Sequence, residues 1–555
     1  MVTRKSYILR RRPMRVNLRI FLFIMATYVP PDTLMTSPRE PTRNVRHARR
    51  DCCFPECSLS IEGGMCCDPR AFWTGSIEFF LLIENLLGIL SGFCYGMSKT
   101  PCKPFLLEDY SCRLSVWTSE EQGVMQRIEQ LCPQQQLEAL ARQTGAVQRQ
   151  RKIKPMSLLR AFCLLTLHGP CSLSMAAIFT GILNGCVLSK QALSKRINGA
   201  WVLFFSKILG CTVARTALSK EAQAKGIFSL FNRVLVTDST KLSLPKKLAS
   251  FFPGSCNQSK KQNAMISLQT TLDLLSETFV DFLVAPFTYN DQRAAPDILK
   301  IIVAGDLIIR DLGYFVPQVF RSIIDRSAYF LSRYHLKTDL LDAKGNKIDL
   351  LPLLKKAPLF DTWLYLGKEA RILVRLVAIP VPDKVANERR RKLLKNKNRD
   401  RRLNPGKEQL ALCGWEIFVT NVHDVAWTCQ DVSNAYGLRW RIEIIFKAWK
   451  SHFNITEFTN GSKEYVQILV YVRLIFITLF QVTFVRFDKW IDQTAPGTHL
   501  SLLKFAQFFR LFLILALGSA IVNSEILMSQ ILRHCVYEKR TKRLSQADFM
   551  QILQS

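Results

Sequence analysis

The chain carries two hydrophobic rhythms in succession, first helical and then mixed. From Thr118 to about Thr216, apolar residues recur at helical spacing. Thr118-Ser119-Glu120-Glu121 offers capping oxygens and early acids for one helix, and Pro155 opens another that runs through Leu167. Residues 172–182 and 188–203 are expected as two further helices joined near Asn184-Gly185. The last of these begins Ser189-Lys190-Gln191-Ala192-Leu193-Ser194-Lys195-Arg196, small and basic along one side. That pattern suits a DNA-reading helix-turn-helix and any polar helical hairpin equally.

Near Phe231 the period shortens to two. Arg233-Val234-Leu235-Val236-Thr237-Asp238 is a β-branched run ending on an acid, and strands are expected at 264–275 and 278–285 with Ser276-Glu277 turning between them. Asn290-Asp291 precedes a helix expected to reach about 303. Leu307-Ile308-Ile309-Arg310-Asp311 is a second short strand ending on an acid, followed by Gly313, a helix at 315–325 and a strand at 328–334. This alternation predicts a mixed α/β layer. Residues 335–425 interrupt it with strands at 363–366, 372–380 and 415–422. One long helix is expected from 432 to about 453. The apolar runs 474–485 and 511–522, twelve residues each, have the length of buried helices rather than bilayer spans.

Composition narrows the class. The 555 residues suggest three or four domains at roughly 150 residues each. With 48% hydrophobic and 10% aromatic residues the chain is not disordered, and 22% charged residues exclude a wholly membrane-embedded one. Lys and Arg number 76 against 44 acids, a formal charge of +32, whose economical partner is a polyanion such as nucleic acid. Between Lys384 and Lys407 eleven basic residues face only Glu388 and Asp400. Such a block is a solvated loop or arm, and Arg389, Arg390, Arg391 and Lys392 make it a candidate grip on a phosphate backbone.

The first hundred residues differ in kind. Residues 1–96 hold 13 basic and 8 acidic side chains, and eight of the seventeen cysteines lie in the first 112 residues without repeated C-x-x-C pairs. Arg10, Arg11, Arg12, Arg15 and Arg19 ahead of an apolar run at 20–29 imitate a signal peptide, but no small-residue cleavage site follows. The reading adopted is a non-native or disordered extension with the working protein starting near Met97. A weak membrane anchor and a basic arm are the alternatives.

Tyr436, Arg439, Glu443 and Lys450 sit at offsets 0, 3, 7 and 14, within a roughly 60° arc of one helical face. Trp440 and Lys447 lie on or beside that face, while Leu438, Ile442, Ile445 and Trp449 make the buried stripe opposite. An ordinary solvated face would look like this. So would a site where a metal meets a nucleic-acid end.

The spacing Y-x2-R-x3-E-x6-K resembles the signature of DDE transposases of bacterial insertion sequences, specifically the insertion sequence four group. Val236-Thr237-Asp238-Ser239-Thr240 resembles that family's first acidic strand end, and Arg310-Asp311-Leu312-Gly313-Tyr314-Phe315 its second. The resemblance covers about residues 118–530. It implies an α/β fold: an RNase H-like catalytic core interrupted by a β-rich insertion, with a helical N-terminal DNA-binding region and a helical C-terminal region. The expected domains are 97–225 (helical, DNA-binding), 226–334 (first part of the core), 335–425 (insertion with a basic loop), 426–460 (second part, with the catalytic helix) and 461–555 (helical).

By the same resemblance Asp238, Asp311 and Glu443 are catalytic and bind the metal, expected to be two Mg2+ ions for which Mn2+ substitutes. Tyr436, Arg439 and Lys450 contact the DNA end, and Trp440 stacks on a displaced base or simply packs. The implied partners are double-stranded DNA, in the form of the element's terminal inverted repeats and target DNA, and a second copy of the chain in a homodimer on paired ends. No membrane partner is expected, and the implied location is the bacterial cytoplasm at the nucleoid. A decayed copy that only binds DNA and a metal-dependent nuclease are the alternatives. Asp273, Asp281, Asp291 and Asp306 are expected as surface or capping carboxylates, with Asp306 the nearest rival to Asp311. Seven histidines without a metal-ligand spacing give a zinc enzyme no support.

Overall fold

The computed structural model describes residues 133–149, 153–167, 169, 171–218, 226–256, 262–356, 359–399, 405–423, 425–459, 461–517 and 531–537. The expectations for 1–96 and for the helix start at Thr118 lie outside the described residues.

Helices come first, as the long apolar period predicts: α1 (Gln134–Gln143), α2 (Pro155–Leu165), α3 (Leu173–Leu183), α4 (Lys190–Ser194) and α5 (Gly199–Leu218). Pro155 sits in the first turn of α2, where its missing N–H costs nothing, and the Ser172 hydroxyl caps α3 by accepting from Met175 N at 3.2 Å. The helix expected at 188–203 is divided. The Asn198 side chain accepts from Ala200 N at 3.1 Å and starts α5 afresh, leaving α4 only five residues.

Ten strands among the described residues form one sheet. They are β1 (Val234–Leu244), β2 (Pro253–Cys256), β3 (Gln262–Asp273), β4 (Thr278–Pro286), β5 (Leu307–Arg310), β6 (Tyr329–Arg333), β7 (Leu340–Leu341), β8 (Phe360–Leu366), β9 (Ile372–Pro380) and β10 (Trp415–Thr420). Their order is β2-β3-β1-β5-β6-β10-β9-β8-β7, with β4 also on β3. Strands β1, β5 and β6 run parallel, and the remaining pairs are antiparallel. The helix expected at 290–303 is a four-residue turn, α6 (Asp291–Ala294), that passes into a 3-10 stretch containing Pro296. Helix α7 (Pro317–Ile324) leads to β6.

Residues 335–425 do not form a layer of their own. Phe418 of β10 pairs with Arg333 of β6, so β7 to β10 prolong the same sheet. The basic stretch expected as a loop is helical over α9 (Asp383–Arg399), between α8 (Leu350–Lys356) and α10 (Lys407–Leu412). Its Arg, Lys, Glu and Leu residues are good helix formers, and Asp383 complements the positive end.

The single helix expected across 432–453 is two, α11 (Cys429–Gly437) and α12 (Trp440–His452). Between them the amides of Leu438 and Arg439 bond carbonyls only three residues back, at 3.2 and 3.1 Å, a tightened turn next to the poor helix former Gly437. The run 474–485 belongs to the 32-residue helix α13 (Lys463–Thr494), and α14 (Leu502–Leu517) follows. Helices α5 and α13 are long and apolar enough to cross a membrane, but the apolar stretch of α13 is 94% buried against protein.

The sheet is covered on both sides. Val234 and Val236 join the core formed with α2, α5, α12, α13 and α14, while Leu235 joins the core around α7. Helix α12 is held to the first face by Trp449 against Phe279 and Phe282, and by Arg441, which meets Glu277 at 2.5 Å. Glu277 itself turns the β3–β4 hairpin at φ 53°. Replacing Glu277 with Gln should therefore cost about 3–5 kcal/mol, because a buried guanidinium loses its carboxylate. Urea unfolding of the two proteins at neutral pH measures this, and a loss below about 1 kcal/mol would refute the clamp.

Candidate active site

Asp238 is not at a strand end. It lies within β1, which continues for six residues beyond it, whereas its parallel neighbour β5 stops at Arg310. The β1–β5 ladder ends with Thr237 opposite Arg310, so Asp238 and Asp311 each follow its last pair, Asp238 still within β1 and Asp311 just past the end of β5. Strand alternation turns Asp238 to the face of Val234 and Val236, where α11 and α12 pack. Glu443, in the first turn of α12, faces the same place. Together Asp238, Thr240, Glu443, Phe446, Lys447, Lys450 and Ser451 line an open cleft of about 410 Å³.

Arg439 joins the acids. At the α11–α12 break its guanidinium reaches Glu443 Oε1 at 2.7 Å and Asp238 Oδ2 at 3.4 Å. The carboxylates converge on this cation, and among the described residues no three acidic, His or Cys side chains are disposed to ligate one ion as they stand. Burial pushes the Asp238 carboxyl up to about 6; its own neighbour's amide (Ser239) and Arg439 oppose this, while Asp311 and Glu443 add to it. Three carboxylates thus share one partly buried field.

Tyr436 was expected to face a phosphate, yet it is buried. Its hydroxyl donates to Asp311 Oδ1 at 3.4 Å, its ring packs on Phe418, and the guanidinium groups of Arg333 and Arg439 lie over it at 5.3 and 5.9 Å. Burial pushes its hydroxyl up to about 12, so it stays a donor. Trp440 is half exposed at the start of α12, and Lys450 is exposed on the cleft wall. Lys447 was placed on or beside the signature face, whereas Phe446 and Ser451 were not singled out, although their offsets of three and eight from Glu443 place them on its side of the helix.

The basic helix divides by task. Arg389 bonds Glu416 at 2.5 Å and the Trp415 carbonyl at 3.2 Å, and Arg390 bonds the Leu410 carbonyl at 3.1 Å. Both hold α9 down. Arg391, Lys392 and Lys395 are exposed. Among the described residues, Arg391, Lys392 and Lys395 do not line the acidic cleft.

The remaining acids are not all surface groups. Asp306 is fully buried and paired with Arg233 at 2.5 Å, so it cannot stand in for Asp311. Asp273 is buried and caps the β3–β4 turn, accepting from Ser276 Oγ at 2.6 Å. Asp291 accepts from Ser239, Gln269 and Lys241; burial opposes its charge, but these donors hold it below the usual carboxylate range.

Comparison with known proteins gives consistent results. The family described as "Transposase DDE domain" matches residues 229–479. The transposase for insertion sequence element IS231D of Bacillus thuringiensis subsp. finitimus is 30% identical over 369 residues, 62% of this chain and 76% of that protein. The transposase for IS231B of Bacillus thuringiensis subsp. berliner is 29% identical, covering 64% and 78% respectively. Among solved structures, the piggyBac transposase synaptic complex with hairpin DNA aligns over 77% of this chain and 88% of that one, at 10% identity and a TM-score of 0.38.

The raised Asp238 pKa fixes a sign. A carboxyl that holds its proton longer when folded contributes less stability as pH rises from 3.8 toward about 6, and its contribution is level above that. In chelator-treated protein, Asp238→Asn should remove this fall and gain about 2–3 kcal/mol relative to the native chain between pH 4 and pH 7. Denaturant midpoints at the two pH values test it; an unchanged difference between the proteins would show that Asp238 titrates normally.

Proposed function

This chain belongs to the DDE transposases of insertion sequences, and we propose that Asp238, Asp311 and Glu443 are the acidic set with which it cuts element ends and joins them to target DNA. The observation that carries the assignment is the convergence of two adjacent parallel strands and one helix, distant in sequence: Arg439 bonds Asp238 and Glu443, while Tyr436 at the same helix break bonds Asp311. As a transposase the protein acts on DNA, cleaving and transferring strands. The strand order β4-β3-β1-β5-β6, three antiparallel strands followed by two parallel to the first, supports an RNase H-like core.

The donor set suits a hard divalent cation. All three groups are carboxylates, and the charge on Asp238 is resisted by burial and by its acidic neighbours, which a cation would relieve. Asp238, Asp311 and Glu443 would hold the metal, Mg2+ with Mn2+ as substitute. When bound, such ions supply activation of the attacking oxygen and stabilisation of the leaving one.

The chain's own groups prepare that chemistry. Arg439 neutralises Asp238 and Glu443 and, with its planar fork, can turn to a phosphate bidentately. Lys447 and Lys450 present exposed ammonium groups along the cleft for the backbone of the element end. Tyr436 serves by holding Asp311 rather than by reaching DNA. On the sheet extension, Arg391, Lys392 and Lys395 offer a second hold on double-stranded DNA, with Arg389 and Arg390 keeping the helix in place. The reading includes action as a homodimer on paired terminal inverted repeats.

Two measurements test this. With the full chain, Mg2+ and a plasmid carrying the element's ends, Glu443→Gln should reduce cleavage and joining to background while end binding in a gel-shift assay stays close to native. Cleavage by that variant would sink the assignment, and hydrolysis without joining in the native protein would reduce the activity to that of a nuclease. Arg391→Ala with Lys395→Ala should weaken DNA binding and lower the salt slope by about one per lost phosphate contact. Arg389→Ala should instead lower the melting temperature. An unchanged slope in the double variant would remove α9 from the DNA interface.

A further inference from the structure

We propose that Asp291 is a positioning residue that sets the distance between Asp238 and Asp311 from behind the sheet; this rests on reading those two acids as part of the metal-binding set. The parallel ladder cannot set that distance alone, since its last pair is Thr237 and Arg310, one residue short of both acids. Beyond that point β1 continues while the chain after β5 turns away through Leu312–Tyr314. A second tie is needed just where the backbone pairing stops.

Asp291 supplies it on the opposite face. Alternation sends Ser239 and Lys241 of β1 away from the cleft, and Gln269 of β3 stands opposite Ser239. One oxygen of Asp291 accepts from Ser239 Oγ at 2.7 Å, Gln269 Nε2 at 3.1 Å and Lys241 Nζ at 3.3 Å. Lys241 also donates to Ser267 Oγ at 2.7 Å, and the Tyr314 hydroxyl donates to Gln269. The other side of the carboxylate packs on Gly313, where an added Cβ would stand 3.1 Å from Asp291 Oδ2 and 3.2 Å from its Cβ. Thus one side chain grips the residue after Asp238 and abuts the residue two after Asp311. A methyl at position 313 would therefore press Asp291 back by a few tenths of an ångström.

Outer contacts of this kind typically change metal affinity 10- to 100-fold. The test uses the full chain and Mn2+ followed by electron paramagnetic resonance, alongside end cleavage, DNA binding and thermal melting. Asp291→Ala and Gly313→Ala should each weaken Mn2+ binding and cleavage at least about tenfold, with DNA binding within about twofold of native. The double variant should be no worse than the weaker single one, because removing the carboxylate makes room for the new methyl. Asp291→Asn keeps an acceptor for Ser239 and should recover part of the loss.

Gly313→Ala removes no hydrogen-bonding group from Asp291 or its partners, so it reports even where Asp291→Ala folds poorly. Native Mn2+ affinity in folded Asp291→Ala, or losses that simply add in the double variant, would overturn the inference. Asp238→Asn is run in parallel. If it binds Mn2+ as tightly as the native chain, the acidic set itself fails and this inference with it, whereas failure in the Asp291 and Gly313 variants alone leaves the set standing.

Discussion

The site depends on the two-residue period of the central strand Val234–Leu244. Both faces of the sheet are buried, so each alternate residue of this strand is committed to one core or the other. Val234 and Val236 anchor one face and Leu235 the other, which decides that Asp238 looks toward the helices and Ser239 away from them. A slip of one residue would bury the carboxylate behind the sheet and present a serine to the cleft. The apolar run ahead of Asp238 is therefore the device that aims it.

Charge is the second constraint. Three carboxylates in one partly buried field repel, and the structure answers with Arg439 at the break between Cys429–Gly437 and Trp440–His452. An unbroken helix would carry Tyr436 and Glu443 on the same arc. The tightened turn lets Tyr436 sink onto Phe418 and reach Asp311 while Glu443 still faces Asp238. The buried Arg441–Glu277 pair holds the second helix so that this geometry does not rest on exposed salt bridges.

Much of this was legible from residue order. The strands around both aspartates, the β3–β4 turn at Ser276-Glu277 and the buried stripe Leu438, Ile442, Ile445 and Trp449 all follow from periodicity and turn chemistry, because those signals are local. Asp238 misread as a strand end shows the limit: the polar stretch Thr237–Lys241 looks like a boundary, yet pairing with Gln262–Asp273 carries the strand to Leu244. The basic block misread as a loop has the same origin, since charge density says nothing about whether Arg389 and Arg390 find acceptors on neighbouring elements.

Sequence alone determined the chemical inventory: which acids end or interrupt apolar runs, which basic residues share a helix face, and that the chain seeks a polyanion. Spacing along a chain reports neighbours within a turn or two, and that is enough for such assignments. Only tertiary structure decided which groups meet. Glu443 lies far along the chain from both aspartates, Asp306 is consumed by Arg233, and Tyr436 is buried with its hydroxyl on Asp311. These outcomes depend on sheet order and on how two cores close around it, and no local pattern encodes the partner that a buried side chain will find.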